Sequence, residues 1–113
     1  MFISPDPVTK AITATLTIAE IMTFKVIVTG TVAVSLTLPT GALCDAGIAS
    51  GNMQSNLALR WSVINTGTVA ALTTLLASAG HTIIGGATVG IGASGFFETV
   101  KTAANTFITY RRA

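Results

Sequence analysis

The stretch that decides the fold is Val26-Ile27-Val28-Thr29-Gly30-Thr31-Val32-Ala33-Val34-Ser35-Leu36-Thr37-Leu38. From Thr31 onward its even positions are large and apolar and its odd ones small or polar, the period-two pattern of a half-buried strand. Most of its residues are β-branched, stiff at χ1 and suited to a pleated surface. Gly30 supplies the positive φ of a tight Thr-Gly-Thr turn, so the stretch reads as a hairpin: a strand, the turn and a returning strand. Val32, Val34, Leu36 and Leu38 are then expected in the core. Thr31, Ala33, Ser35 and Thr37 form a small, neutral second face suited to a subunit contact.

An echo lies 37 residues further on. Val26–Ala33 matches Val63–Ala70 at seven of eight positions, and Thr37/Thr74 and Leu38/Leu75 also agree. The expectation is the same hairpin used twice, with shared turn chemistry explaining the likeness as well as a duplication would. Alternation continues in Thr13–Ile18, where the threonines take one face and Ala14, Leu16 and Ile18 the other. Ala58–Asn65, Thr68–Leu76, Ala87–Ile91, Phe96–Lys101 and Asn105–Arg111 also read as strands, separated by Gly- or Asn-rich breaks. Their spacing of about 8–12 residues is that of a sandwich or barrel. Ile18–Thr23 is short enough for one helical turn. The fold class expected is all-β: a compact antiparallel β-sandwich or barrel of about 7–8 short strands. It carries one long loop (40–56), with room for a short helix, and an extended N-terminal arm. Residues 1–10 are assigned to that arm and 11–113 to a single β domain.

The whole chain fits this picture. Of 113 residues, 39 are Thr, Ile or Val, half are hydrophobic, and only 9% are charged. About a quarter charged is usual, so the surface here must be clothed by neutral residues. Such a surface meets another protein with little charge to desolvate. Disordered, collagen-like, disulfide-rich and coiled-coil classes are excluded by composition. The longest span without Asp, Glu, Lys or Arg, Trp61–Phe97, is interrupted by Asn65, His81 and many glycines, so no membrane-spanning helix is expected. The aromatics do not recur at strand ends as barrel girdles do. The first residues lack the basic start and apolar core of a signal peptide.

The titratable inventory gives no enzyme. His81, the single histidine, is expected to be structural, because neighbouring Cys44 and Asp45 would point opposite ways on a strand. Cys44 is expected as a small buried hydrophobe. Asp6, Glu20, Asp45 and Glu98 show no ligand spacing, so no metal and no cofactor are expected. The glycines between 85 and 95 lack a following Gly-Lys-Ser/Thr, leaving them as turns and packing positions. A net charge of +2 without a basic stripe argues against nucleic acid. Arg111 and Arg112 are candidate contacts to a carboxylate on a neighbouring subunit. Phe2 and Ile3, in the proline-stiffened Phe2-Ile3-Ser4-Pro5-Asp6-Pro7, are candidate anchors of an arm laid on a neighbour. Trp61 lies in an alternating strand and is expected in the core.

Several words carry a resemblance: Leu38-Pro39-Thr40-Gly41-Ala42, Asp45-Ala46-Gly47-Ile48, Trp61–Thr68, Gly80-His81-Thr82-Ile83-Ile84-Gly85 and Lys101–Arg111. Over roughly residues 36–111 they resemble small β-rich virion proteins of tailed phages, of the capsid decoration (cement) type. The resemblance implies a structural protein without catalytic residues, a homotrimer bound to the major capsid protein on the capsid exterior. Similar modules in fibres imply the alternative, an adhesin domain that binds a host-surface glycan or protein.

Overall fold

The computed structural model describes residues 6–47, 58–68 and 72–113. In chain order the elements are β1 (Val8–Lys10), β2 (Ala14–Thr15), α1 (Ile18–Ile21), β3 (Lys25–Val28), β4 (Val34–Thr37) and α2 (Gly41–Gly47). They continue with β5 (Ala58–Asn65), β6 (Thr73–Leu76), β7 (His81–Ile84), β8 (Thr88–Val89), β9 (Ser94–Ala103) and β10 (Thr106–Arg111). A six-stranded sheet has the order β1-β3-β5-β9-β10-β7, and a four-stranded sheet the order β2-β4-β6-β8. The chain is strand-rich, with two sheets and two short helices among the described residues.

The expected antiparallel arrangement is corrected. Strands alternate between the two sheets, and β1, β3 and β5 pair in parallel, as do β2, β4 and β6. β7 pairs in parallel with β10, and antiparallel pairing is confined to β5/β9, β9/β10 and β6/β8. The Thr-Gly-Thr turn therefore makes no hairpin. It carries the chain from the six-stranded sheet to the four-stranded one, and a parallel pair needs such an intervening crossover. The echo acquires a physical meaning here. Val26 pairs with Val63, Ile27 with Ile64 and Val28 with Asn65, so the two like words lie side by side in register. The stacking extends into the turns, where Thr66 donates its backbone N–H and its hydroxyl to Val28 O and Thr68 N–H donates to Gly30 O. Two coils of one winding, rather than two hairpins, share the motif, as in solenoids where each coil buries its face on the next.

The inward residues of both sheets form one core: Val26, Val28, Trp61, Val63, Phe97 and Phe107 from the larger, Val34, Leu36, Leu75 and Val89 from the smaller. Leu38 is buried as expected, but Val32 is 53% exposed. The alternation overran the corner after Gly30, and the strand begins only at Val34. Leu16 and Ile18 are buried as the pattern in Thr13–Ile18 required, although only Ala14–Thr15 is strand. α1 begins there because Thr17 and Glu20 form a capping box. Glu20 Oε1 accepts from Thr17 N–H at 2.9 Å and Thr17 Oγ1 from Glu20 N–H at 3.1 Å. Glu20 also holds Lys10 of β1 at 2.7 Å.

One further boundary is corrected. Val8–Lys10, placed in the arm, is the edge strand of the larger sheet; Phe2 and Ile3 lie outside the described residues. Of the loop assigned to 40–56, residues Gly41–Gly47 are helix and 48–57 lie outside the described residues. No helix among the described residues is long and apolar enough to cross a membrane.

Candidate functional site

The words that carried the resemblance meet in space. Gly41, at the start of α2, packs where a Cβ would stand 2.0 Å from Asn105 O and 2.6 Å from Gly80 O. Asp45 Oδ1 takes Lys101 Nζ at 2.6 Å, and its Oδ2 takes the backbone N–H of Asn105 at 2.8 Å. Those bonds hold the Asp45 carboxyl below its ordinary range. Asn105 turns β9 into β10 with φ of 55°, a left-handed value that Asn tolerates better than most residues. Gly80 O in turn accepts from Phe107 N–H. One helix, one turn and the start of β7 are thus locked together by residues far apart in sequence.

Beneath this knot lies a chain of buried hydrogen bonds whose direction the chemistry fixes. His81 Nδ1 lies 2.8 Å from Pro39 O, and a carbonyl only accepts, so Nδ1 carries the proton. Nε2 of the neutral ring must then accept, and Thr109 Oγ1 at 2.6 Å donates to it. Thr99 donates to Thr109 at 2.8 Å, and Trp61 Nε1–H donates to Thr99 at 2.9 Å. His81, Thr99 and Thr109 are all fully buried.

Cys44 does reach His81, with Sγ 3.7 Å from Nδ1. The expectation that Cys44 and Asp45 would not both reach the ring holds, although they sit on a helix rather than a strand: Cys44 turns into the core while Asp45 turns to Lys101. The pair is not arranged as a nucleophile and its base. Nδ1 already donates to Pro39, Nε2 already accepts from Thr109, and burial pushes the Cys44 thiol up to about 12. Burial also lowers the His81 pKa, with the Pro39 carbonyl opposing. The neighbours of the ring, Pro39, Cys44, Phe107 and Thr109, are uncharged at neutral pH.

The depressed histidine makes stability depend on pH. Below its ordinary value of 6.5 the unfolded chain binds a proton that the native ring refuses. Stability is therefore full above that pH and declines as pH falls from it toward the native value. Asp45 and Glu20 have ordinary values of 3.8 and 4.5 and are also lowered, so their contributions are lost only at lower pH. The urea midpoint should fall between about pH 6.5 and 5 with a slope of up to one proton. A flat midpoint across that interval would contradict the buried neutral ring.

The predicted contact residues divide. Thr31 and Ala33 are exposed in the corner before β4, and Ser35 and Thr37 are half-buried on the face of the smaller sheet away from the core. Ser35 pairs with Thr74 and Thr74 with Thr88, while Thr15 pairs with Thr37 and Thr37 with Leu76. Thr13 Oγ1 accepts from Ser35 N–H. The outer face of the smaller sheet is thus a continuous, uncharged array, mostly threonine, of which a single strand's alternation showed only one row. Arg111 is not turned outward for a partner. Its Nη1 donates to Gly86 O and Thr88 O, its Nε to Ala113 O, and its guanidinium lies 5.2 Å from the Phe97 ring centroid. Arg112 is about half exposed and faces Glu98.

The sequence reading missed a cleft of about 460 Å³ on the larger sheet, lined by Phe24, Phe96, Arg60, Ser62 and Arg112 among others. Trp61 borders it but is 3% exposed, as its place in an alternating strand required. Phe96 alternates outward from buried Phe97, a signal the sequence did contain. Phe24 gave none, since its position follows from the turn after α1. Among the described residues no three metal-ligating side chains converge. No family model, no curated protein and no solved structure matches the chain.

Proposed function

We propose that this chain is a structural subunit of a virus particle, a homo-oligomer (a trimer) that sits on the outer capsid surface and stabilises the shell, with no catalytic role. The observation that carries the reading is where the charge goes. Seven of the ten charged residues are tied up in ion pairs within the chain: Lys10 with Glu20, Lys101 with Asp45, and Arg60 and Arg112 with Glu98. Arg111 is bound to backbone carbonyls. The threonine array on the smaller sheet carries no charge, and Ile12 and Val32, just ahead of β2 and β4 in the chain, are 70% and 53% exposed. Little charge has to be desolvated when such a surface meets a neighbour. The likeness to decoration proteins in Pro39–Ala42, Gly80–Gly85 and Lys101–Arg111 supplies the capsid setting. A protein that binds only the assembled shell stabilises it by mass action, without chemistry. A closed ring is the oligomer that symmetry favours. The runner-up, a fibre or adhesin domain, draws support from the aromatic cleft.

Thr15→Lys and Thr88→Lys test the face. Both positions are exposed on opposite edge strands of the smaller sheet, so folding stability should change by about 0.5 kcal/mol or less. Association should weaken about a hundredfold, because a lysine would be desolvated without a partner. Light scattering of each variant reads the outcome, and association as tight as in the parent chain would remove this face from the interface. In reconstructed particles, density for this fold is expected on the shell lattice; density at the tail would favour the fibre reading.

A further inference from the structure

We propose that the His81 hydrogen-bond chain is an acid latch on the edge of the six-stranded sheet. When the ring takes a second proton, the Ser78–Gly80 turn and β7 leave β10, while the central strands of the sheet stay paired. This inference does not rest on the oligomer reading.

The count of donors and acceptors carries it. The chain runs one way, from the Trp61 N–H through the hydroxyls of Thr99 and Thr109 to His81 Nε2, with the Nδ1–H given to Pro39 O. Both ends are fixed, because an indole N–H only donates and a carbonyl only accepts. A second ring proton turns Nε2 into a donor. Thr109 Oγ1 then faces two donors, and its own hydrogen has nowhere to go but Thr99. If Thr109 donates to Thr99, the Thr99 hydrogen is left facing the Trp61 N–H. Among the described residues neither hydroxyl has another acceptor. No turning of the hydroxyls accommodates the protonated ring, so a buried cation comes with an orphaned donor.

The side chains described around the ring carry no charge to offset that cation. From the segment leading into α2 it meets the Pro39 carbonyl and the Cys44 thiol, whose pKa burial pushes up to about 12. β10 presents Phe107 and Thr109, and Thr99 of β9 stands behind Thr109. Asp45 of α2 and Lys101 of β9 are paired with each other. Burial lowers the pKa of the closed ring, whereas a ring lifted into water titrates near its ordinary 6.5. The closed edge is therefore favoured above that pH, and opening gains up to about tenfold for each pH unit below it.

β7 is the element that leaves at least cost. It is an edge strand of four residues paired only with β10, whereas β3, β5 and β9 have partners on both sides. Its one fully buried side chain is His81 itself, and of the rest only Ile83 packs partly on the core. The turn before it is braced by Gly41 N–H to Ala79 O, Ser78 Oγ to Pro39 O and Phe107 N–H to Gly80 O. All three bonds lie at the end where the ring is buried. The bonds of Asp45 to Lys101 and Asn105 hold α2 on the β9–β10 turn and need not break. Thinly braced edges of this kind open at a lower cost than the whole fold. The departure of β7 would leave β10 unpaired along one side from Phe107 to Tyr110, a free edge that another strand could join.

Four amides report the two possibilities. Phe107 and Gly41 donate to Gly80 O and Ala79 O at the edge, while Ser62 and Thr66 donate to Phe24 O and Val28 O at the sheet centre. Native-state hydrogen exchange of the full chain, read by NMR in low urea between about pH 7 and 5, follows all four. Phe107 and Gly41 should be less protected than Ser62 and Thr66 and should show little urea dependence, the mark of a local opening. Their protection factors should fall about fivefold between about pH 6.5 and 5.5. His81→Gln keeps one donor and one acceptor but does not titrate, so it should abolish that fall. If the variant does not fold, the parent chain decides alone. Equal urea dependence at all four amides would mean that the edge opens only with the whole fold, and would overturn the proposal. Protection of Phe107 and Gly41 that ignores pH, or an acid-dependent fall that survives in His81→Gln, would overturn it as well.

Discussion

Replacing Gly41 with alanine should destabilise the chain by about 3 kcal/mol or more, enough to unfold much of it at moderate temperature. The added Cβ would stand 2.0 Å from Asn105 O and 2.6 Å from Gly80 O, separations no relaxed structure tolerates. Both obstacles are backbone atoms, so no side-chain rotation relieves them. Asn105 is fixed by its bond to Asp45, and Gly80 by accepting from Phe107. Relief requires α2 to move off the β9–β10 turn, taking Cys44 and Asp45 with it. Chemical denaturation of the Gly41→Ala variant measures the loss. By contrast, Gly86 has no atom within 4 Å of a built Cβ, so Gly86→Ala should be tolerated far better.

Thr109→Val should cost about 3 kcal/mol although it conserves shape. The hydroxyl it removes donates to His81 Nε2 and accepts from Thr99. A buried ring nitrogen loses its donor and a buried hydroxyl loses its acceptor, and a buried polar group left unpaired costs about 1–3 kcal/mol. Thr99→Val should act through the same chain by leaving the Trp61 N–H without an acceptor. The double variant should therefore cost less than the sum of the two singles, by about 1 kcal/mol or more. Additive losses would show that the hydroxyls act separately. The near-ultraviolet signal of Trp61 offers a local readout of the same chain.

Strands were legible from alternation, and their partners were not. Ala58–Asn65 has the bounds the alternation indicated, and Val34, Leu36 and Leu38 are in the core. A period of two names the face a residue takes, but it is silent on whether the next strand returns beside the first or crosses to another sheet. The Thr-Gly-Thr turn suits both. The trace of parallel stacking in the sequence was the echo itself, since like words placed 37 residues apart align in register as Val26/Val63 and Ile27/Ile64. Read as repeated turn chemistry, it gave hairpins.

At the candidate sites His81 is fully buried with both ring nitrogens hydrogen-bonded. Helical geometry in α2, rather than strand alternation, separates Cys44 from Asp45. Arg111 looked like a terminal charge free for a partner, and only the packed structure shows the carbonyls that occupy it. The threonine array needed four strands from distant segments to be seen as one surface. Local sequence carries side-chain facing well and carries convergence poorly, because convergence depends on topology.

We propose that the uncharged, threonine-rich surface of this chain meets neighbouring subunits. Sedimentation velocity of the purified protein, from about 1 to 100 µM, tests it most directly. A concentration-dependent shift to a discrete species of three times the 11.5 kDa chain mass is expected, and its loss in Thr15→Lys. A single species at 11.5 kDa throughout that range would contradict it.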